Sequence, residues 1–274
     1  MGGGSVRLAR VPVQRTHICP RRCPPTRRTH VAPPRDVPKA QKGPPTVRTR
    51  TLTLAAAAVG TALLAAAALP AGAAPVQARE GTVTAADLLA EMTSCSQISN
   101  GRYSLDVGAP ATVPVCGMNG AVFWKADMDI DCDGQVTAEC NKRTDPWFQD
   151  QTAFHQSDGR PLNSEDLPYI VVPGPSGIWN YASSGIRGGS VAAVIHGDEI
   201  QYAVVGDTGP TKIIGEASYA TARALGINPD PATGGAASGV TYIVFTDSRV
   251  SPIEDQEAAS SLGEALAEQF LEDN

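Results

Sequence analysis

Residues 191–205 leave the chain little choice of conformation. Val191–Ile195 and Glu199–Val205, both rich in β-branched or aromatic residues, are separated only by His196-Gly197-Asp198. That pattern predicts a β-hairpin closed by a tight turn. The second run ends in Gly206-Asp207-Thr208-Gly209-Pro210, read as a sharp turn that presents Asp207. The chain returns through Lys212-Ile213-Ile214-Gly215 to Glu216, and Ala217–Leu225 reads as a short alanine-rich helix stopped by Gly226. Two carboxylates, Asp207 and Glu216, therefore fall at adjacent turns of one folded-back unit, a candidate acid/base pair. The plainer alternative is that Asp207 caps its own backbone and Glu216 only supplies charge at a helix start.

The N-terminal part has a different character. Residues 1–50 hold ten Arg and two Lys against one acid, with many prolines and no apolar periodicity, so they cannot bury enough surface to fold. Leu52–Leu69 is an uncharged Ala/Leu run preceded by Arg48-Thr49-Arg50 and followed by Pro70-Ala71-Gly72-Ala73-Ala74. Residues 47–74 are expected to be a secretory signal peptide rather than a membrane anchor, because alanine inserts weakly into a bilayer. Residues 1–46 form a basic preamble, expected to be a start-site artefact if translation begins at Val47. A secreted, extracellular domain over residues 75–250 would follow, then an acidic tail over residues 251–274.

Charge acquires its meaning once that leader is set aside. Of 22 Lys/Arg and 28 Asp/Glu, residues 1–50 account for twelve and one, leaving ten against 27 and a net charge of −17. Such a domain repels nucleic acid and anionic membranes and favours a cationic partner, or simply stays soluble. Four cysteines remain, and an even count in a secreted chain predicts two disulfides. Cys132–Cys140 is the shortest closure, which leaves Cys95–Cys116.

Thr84–Cys95 reads as a short helix opened by Thr84, with Leu88, Leu89 and Met92 on one side. Ala121–Trp124 is a strand leading into Lys125-Ala-Asp-Met-Asp-Ile-Asp-Cys-Asp-Gly134. If extended, this stretch puts Asp127, Asp129, Asp131 and Asp133 on one face, where like charges repel unless something cationic sits there. Asp129-x-Asp131-x-Asp133-Gly134 also opens like a calcium-binding EF-hand loop, but Cys140 occupies the place of the required Glu. That leaves a cation site of another kind, or a substrate ammonium group as the occupant. Asp145–Asp166 reads as loop, Tyr169–Pro173 as a buried strand, and Trp179 and Tyr181 as either sugar-stacking or core aromatics. After a turn-rich loop at Pro229–Gly239, Val240–Phe245 is a last core strand, and Glu254–Glu268 an acidic, helix-prone tail, solvated or frayed. Short strands punctuated by proline and glycine, with a few short helices, predict a mainly β single-domain barrel. Only His155 and His196 lie in this domain, in no metal-ligand spacing, and neither a Gly-x-Ser-x-Gly elbow nor a nucleotide-binding glycine pattern occurs. No cofactor or metal is expected.

These strings resemble the chitosanases of glycoside hydrolase family 75, found in fungi and some actinobacteria. The resemblance spans Ala121–Phe245 and rests on Lys125–Gly134, Leu167-Pro-Tyr-Ile-Val-Val-Pro173, Ala203–Pro210, Ile214-Gly-Glu-Ala-Ser218 and Gly239–Phe245. It implies that Asp207 and Glu216 are the essential carboxylates, and it implies hydrolysis of β-1,4-linked glucosamine within the polymer, with inversion. Glu216, near Ile213 and Ile214, is expected to be the general acid and Asp207 the general base. Cationic chitosan would meet Asp127, Asp129, Asp131, Asp133 and Thr208, and the enzyme would act as a monomer, without stable membrane association after signal cleavage. The turn, return strand, acid and helix also look like the core of double-psi β-barrels. On that analogy a lytic transglycosylase, needing one acid, and a non-catalytic expansin-like binding module remain open.

Overall fold

The computed structural model describes residues 83–274; the basic preamble, the start at Val47 and the signal peptide over residues 47–74 lie outside the described residues. In chain order the elements are α1 (Ala85–Glu91), β1 (Ser96–Gln97), β2 (Cys116–Met118), β3 (Ala121–Asp131), β4 (Tyr169–Pro173), β5 (Val191–His196), β6 (Glu199–Gly209), β7 (Glu216–Ser218), α2 (Tyr219–Ala224), β8 (Ala236–Phe245) and α3 (Gln256–Asp273). Six of the strands close into a mixed barrel in the order β3-β7-β4-β6-β5-β8, with β8 pairing back onto β3. Closure removes the open edges at which a sheet would otherwise recruit another chain. Two neighbouring pairs, β3–β7 and β4–β6, are parallel and the other barrel pairs antiparallel.

The predicted hairpin is β5–β6, with His196 opposite Glu199 across the turn. Both expected disulfides are present, Cys95–Cys116 and Cys132–Cys140. Thr84 caps α1 in a reciprocal capping box with Asp87, and Leu88 is fully buried beneath that helix.

Each face of the sheet carries its own core, as strand alternation requires. On one face Trp124 stacks on Tyr242 with ring centroids 5.4 Å apart and meets the edge of Trp179 at 6.1 Å. Trp179 is thus a core residue and not a sugar-stacking one. The opposite face gathers Phe123, Tyr169, Ile195 and Phe245 under α1 and α3.

Three local expectations are corrected. The Gly206–Gly209 stretch is not a turn but the last part of β6, because its backbone pairs with β4 as far as Pro173–Gly209. The predicted helix over Ala217–Leu225 begins only at Tyr219, since Glu216–Ser218 is pulled into the barrel between β3 and β4. The C-terminal tail is neither solvated nor frayed. Helix α3, capped by Asp255, buries Ala259, Gly263, Ala267 and Phe270, and the Phe270 ring sits 6.4 Å from that of Phe245.

Candidate active site

The two carboxylates share one row of the barrel. Val171 on β4 is the register partner of Asp207 on β6 on one side and of Glu216 on β7 on the other, and Glu216 in turn pairs with Asp129 on β3. Paired residues in neighbouring strands point to the same face, so Asp207, Val171, Glu216 and Asp129 form one line across four strands. A register shift creates this line for Asp207. Ile170 pairs with Val205 but Val171 with Asp207, so Gly206 is an extra residue in β6 and the strand is re-aimed beyond it.

Gly209 completes the arrangement. It lies two residues beyond Asp207 and hence on the same face, and a Cβ there would come within 2.5 Å of Glu216 Oε2. The Glu216 carboxyl therefore leans over Gly209, roughly 7 Å along the strand from the level of Asp207. At Gly215, with φ +119°, a side chain would be strained and would collide with Asp127 Oδ1, so glycine is required just before the acid.

Both carboxyls open into a cleft of about 270 Å³, which is also lined by Asp131, Asp133, Asp145, Thr208, Pro210 and Trp147. Their surroundings differ. Glu216 is pushed up to about 7, first by burial and then by the charges of Asp129, Asp133, Asp207 and Asp127. Burial also raises Asp207, but two backbone amides work against it: Ala153 N and Thr208 N donate to Asp207 Oδ1 at 2.7 and 2.6 Å. His155 favours the ionised form of Asp207 as well. Both carboxyls are thus raised by burial, Glu216 to about 7, while backbone amides oppose the rise only at Asp207.

The aspartate row is placed unequally. Asp127, Asp129 and Asp131 do alternate along β3, opposite in direction to the core residues Ala126 and Met128. Asp131 and Asp133 line the cleft with Asp207, Thr208 and Glu216, whereas Asp127 and Asp129 do not. Asp127 is buried beside Gly215 and raised to about 7 by desolvation and the Asp129 charge. Asp131 is raised well above the carboxylate range, first by burial and then by Asp133, Asp207 and Glu216. Asp133 is raised to about 6 by burial, and its Oδ1 accepts from Gln149 N at 2.6 Å, so it also fastens the following loop. Among the described residues, no group of three or more His, Cys, Asp or Glu side chains is arranged to hold a metal ion.

Two cleft residues, Asp145 and Trp147, escape a reading of the sequence, which sees only an irregular loop there. Trp147 is 85% exposed, an unusual position for the largest side chain. The Asp-Pro-Trp string marks a turn, but nothing in it says that the turn faces the acids.

Comparisons with known proteins match the part of the chain that carries this cleft. The family model described as fungal chitosanase of glycosyl hydrolase group 75 matches residues 128–272, which include β7, every residue lining the cleft and nearly all of α3. The chain is similar to an endo-chitosanase C of Aspergillus oryzae, 34% identical over 139 residues, covering 48% of this chain and 34% of that one. It is also similar to an endo-chitosanase of Aspergillus fumigatus, 32% identical over 142 residues, covering 47% of this chain and 59% of that one. The matched part thus spans between about a third and three-fifths of these relatives' lengths. With the family match running over more than half of its length and through its acidic cleft, the chain belongs to glycosyl hydrolase group 75.

Proposed function

We propose that the protein is a secreted, monomeric endo-chitosanase that hydrolyses β-1,4 linkages between glucosamine units with inversion. One observation carries this reading. Asp207 and Glu216 lie on one face of two strands with a single strand and a single residue, Val171, between them; Glu216 is raised to about 7, while backbone amides oppose the rise at Asp207. Inverting glycosidases hold their two carboxyl groups about 6.5–9.5 Å apart, leaving room for a water, and the lean of Glu216 over Gly209, roughly 7 Å along β6 from Asp207, is compatible with that. Glu216 then gives its proton to the glycosidic oxygen as the C1–O bond breaks. Asp207 takes a proton from the water that attacks C1 from the opposite face, and each turnover releases one new reducing end with inverted configuration.

The substrate follows from charge and from the relatives' names. A cleft carrying Asp131, Asp133 and Asp145 beside the acid/base pair suits a polymer with one ammonium group per sugar. Both relatives are endo-chitosanases. The two disulfides and the apolar run at residues 52–69 support export.

The test is release of reducing ends from soluble, highly deacetylated chitosan, with chitin and peptidoglycan alongside. Glu216→Gln and Asp207→Asn should each lower kcat by at least about 100-fold, as loss of a general acid or base does. Near-normal turnover by Asp207→Asn would point to a one-acid mechanism of the transglycosylase kind. No product from any polymer would leave a binding module.

A further inference from the structure

Trp147 stands where the fold has gone to some length to hold an apolar surface in water. Its indole is 85% exposed, yet the backbone that carries it is fixed on both sides. Trp147 N donates to Asp145 Oδ1 at 2.8 Å, and Gln149 Nε2 donates to Trp147 O at 3.0 Å. Gln149 is itself held through its backbone, its N–H on Asp133 Oδ1 at 2.6 Å and its carbonyl accepting from Gly134 N at 2.9 Å. The next residue, Phe148, is buried against the Cys132–Cys140 disulfide. Asp145 is itself buried, and Pro146 stiffens the turn between it and the indole. An exposed tryptophan on a fixed base is neither a core residue nor a loose loop residue.

Its position says what it faces. Trp147 lines the same cleft as Asp207 and Glu216, and among the described residues it is the one aromatic side chain that does so. Of the eleven other lining residues, five are carboxylates. A pyranose ring offers the complementary surface, with axial C–H groups on a flat apolar face and polar groups around its edge. We propose that Trp147 is a sugar-stacking platform that binds the apolar face of a glucosamine unit next to the scissile bond, leaving that unit's ammonium group for Asp133 and Asp145. This rests on the cleft being a polysaccharide site. It adds a second recognition element, one that depends on ring shape and not on charge.

The two elements separate by experiment. Trp147→Ala should raise KM for a glucosamine hexamer by about tenfold, the loss expected for one aromatic stacking contact. Its kcat should stay within twofold and its melting temperature unchanged, because the indole is exposed; Trp147→Phe should recover most of the affinity. The KM difference should persist in high salt, which weakens the carboxylate contacts alone. In the inactive Glu216→Gln background, titration with the hexamer should shift tryptophan emission, and the additional Trp147→Phe change should abolish the shift. A KM for Trp147→Ala within twofold of wild type, or an emission shift that survives Trp147→Phe, would overturn the proposal. If wild type leaves the hexamer uncut but the emission shift is present and needs Trp147, the proposed reaction fails and the platform stands.

Discussion

At the scale of single residues, the proposed inverting chemistry asks that two carboxyls be in opposite protonation states. Glu216 must hold its proton to act, and its value of about 7 means that activity is lost as pH rises through neutrality. Asp207 must be ionised, and burial raises it while the amides of Ala153 and Thr208 restrain the rise, so activity is also lost at acid pH. The profile of kcat/KM for soluble glucosamine oligomers should therefore be bell-shaped, with its alkaline limb near pH 7. A rate that stays level to about pH 9 would remove Glu216 as the acid. That these two carboxyls share a cleft was legible in the sequence because both residues sit in short, unusual strings joined by a few residues of chain. Trp147 was not legible, since whether an aromatic ring is buried or faces a cleft depends on residues far away in sequence.

At the scale of elements, strands were easier to read than their ends. The β5–β6 hairpin follows from local pattern, but Gly206–Gly209 carries turn-forming residues and is nonetheless recruited into β6 by β4. Pairing with a distant strand overrides local preference there, and only the partner reveals that Gly206 is the extra residue. Helix α3 failed for a different reason. Its buried stripe, Ala259, Gly263, Ala267 and Phe270, is mostly small, so it adds little apolarity to an acidic segment while fitting closely against the sheet. Phe270 then supplies much of its anchorage through Phe245. Phe270→Ala should cost about 3 kcal/mol of stability, as large-to-small changes at buried aromatics do. Activity measured well below the melting temperature should remain, because the cleft lies elsewhere. Denaturant unfolding of the variant checks this, and a loss below about 1 kcal/mol would mean that α3 is held by its other contacts.

At the scale of the whole molecule, acid residues are concentrated on one part of a closed sheet, and stability must reflect it. Asp127 and Glu216 are raised to about 7 and Asp133 to about 6, so the folded protein binds protons more tightly than the unfolded chain does. The resulting stabilisation is complete below about pH 4 and is lost as pH rises through 6 to 7. Melting temperature should fall across that interval. Asp127→Asn, which removes a buried carboxyl whose Oδ1 has no hydrogen-bond partner among the described residues, should flatten the curve and raise the melting point at pH 8 by at least about 3 °C. Parallel curves for variant and wild type would show that Asp127 does not contribute. Closure of the barrel has one more effect. Between Asp207 and Glu216 the chain interposes one whole strand, and strands in a sheet repeat at about 4.8 Å. The strand positions from which the two carboxyls start are therefore fixed in discrete steps by the backbone lattice, which no side-chain substitution can stretch. What substitution can still change is reach: the one methylene by which a glutamate exceeds an aspartate is the fine adjustment left to this site.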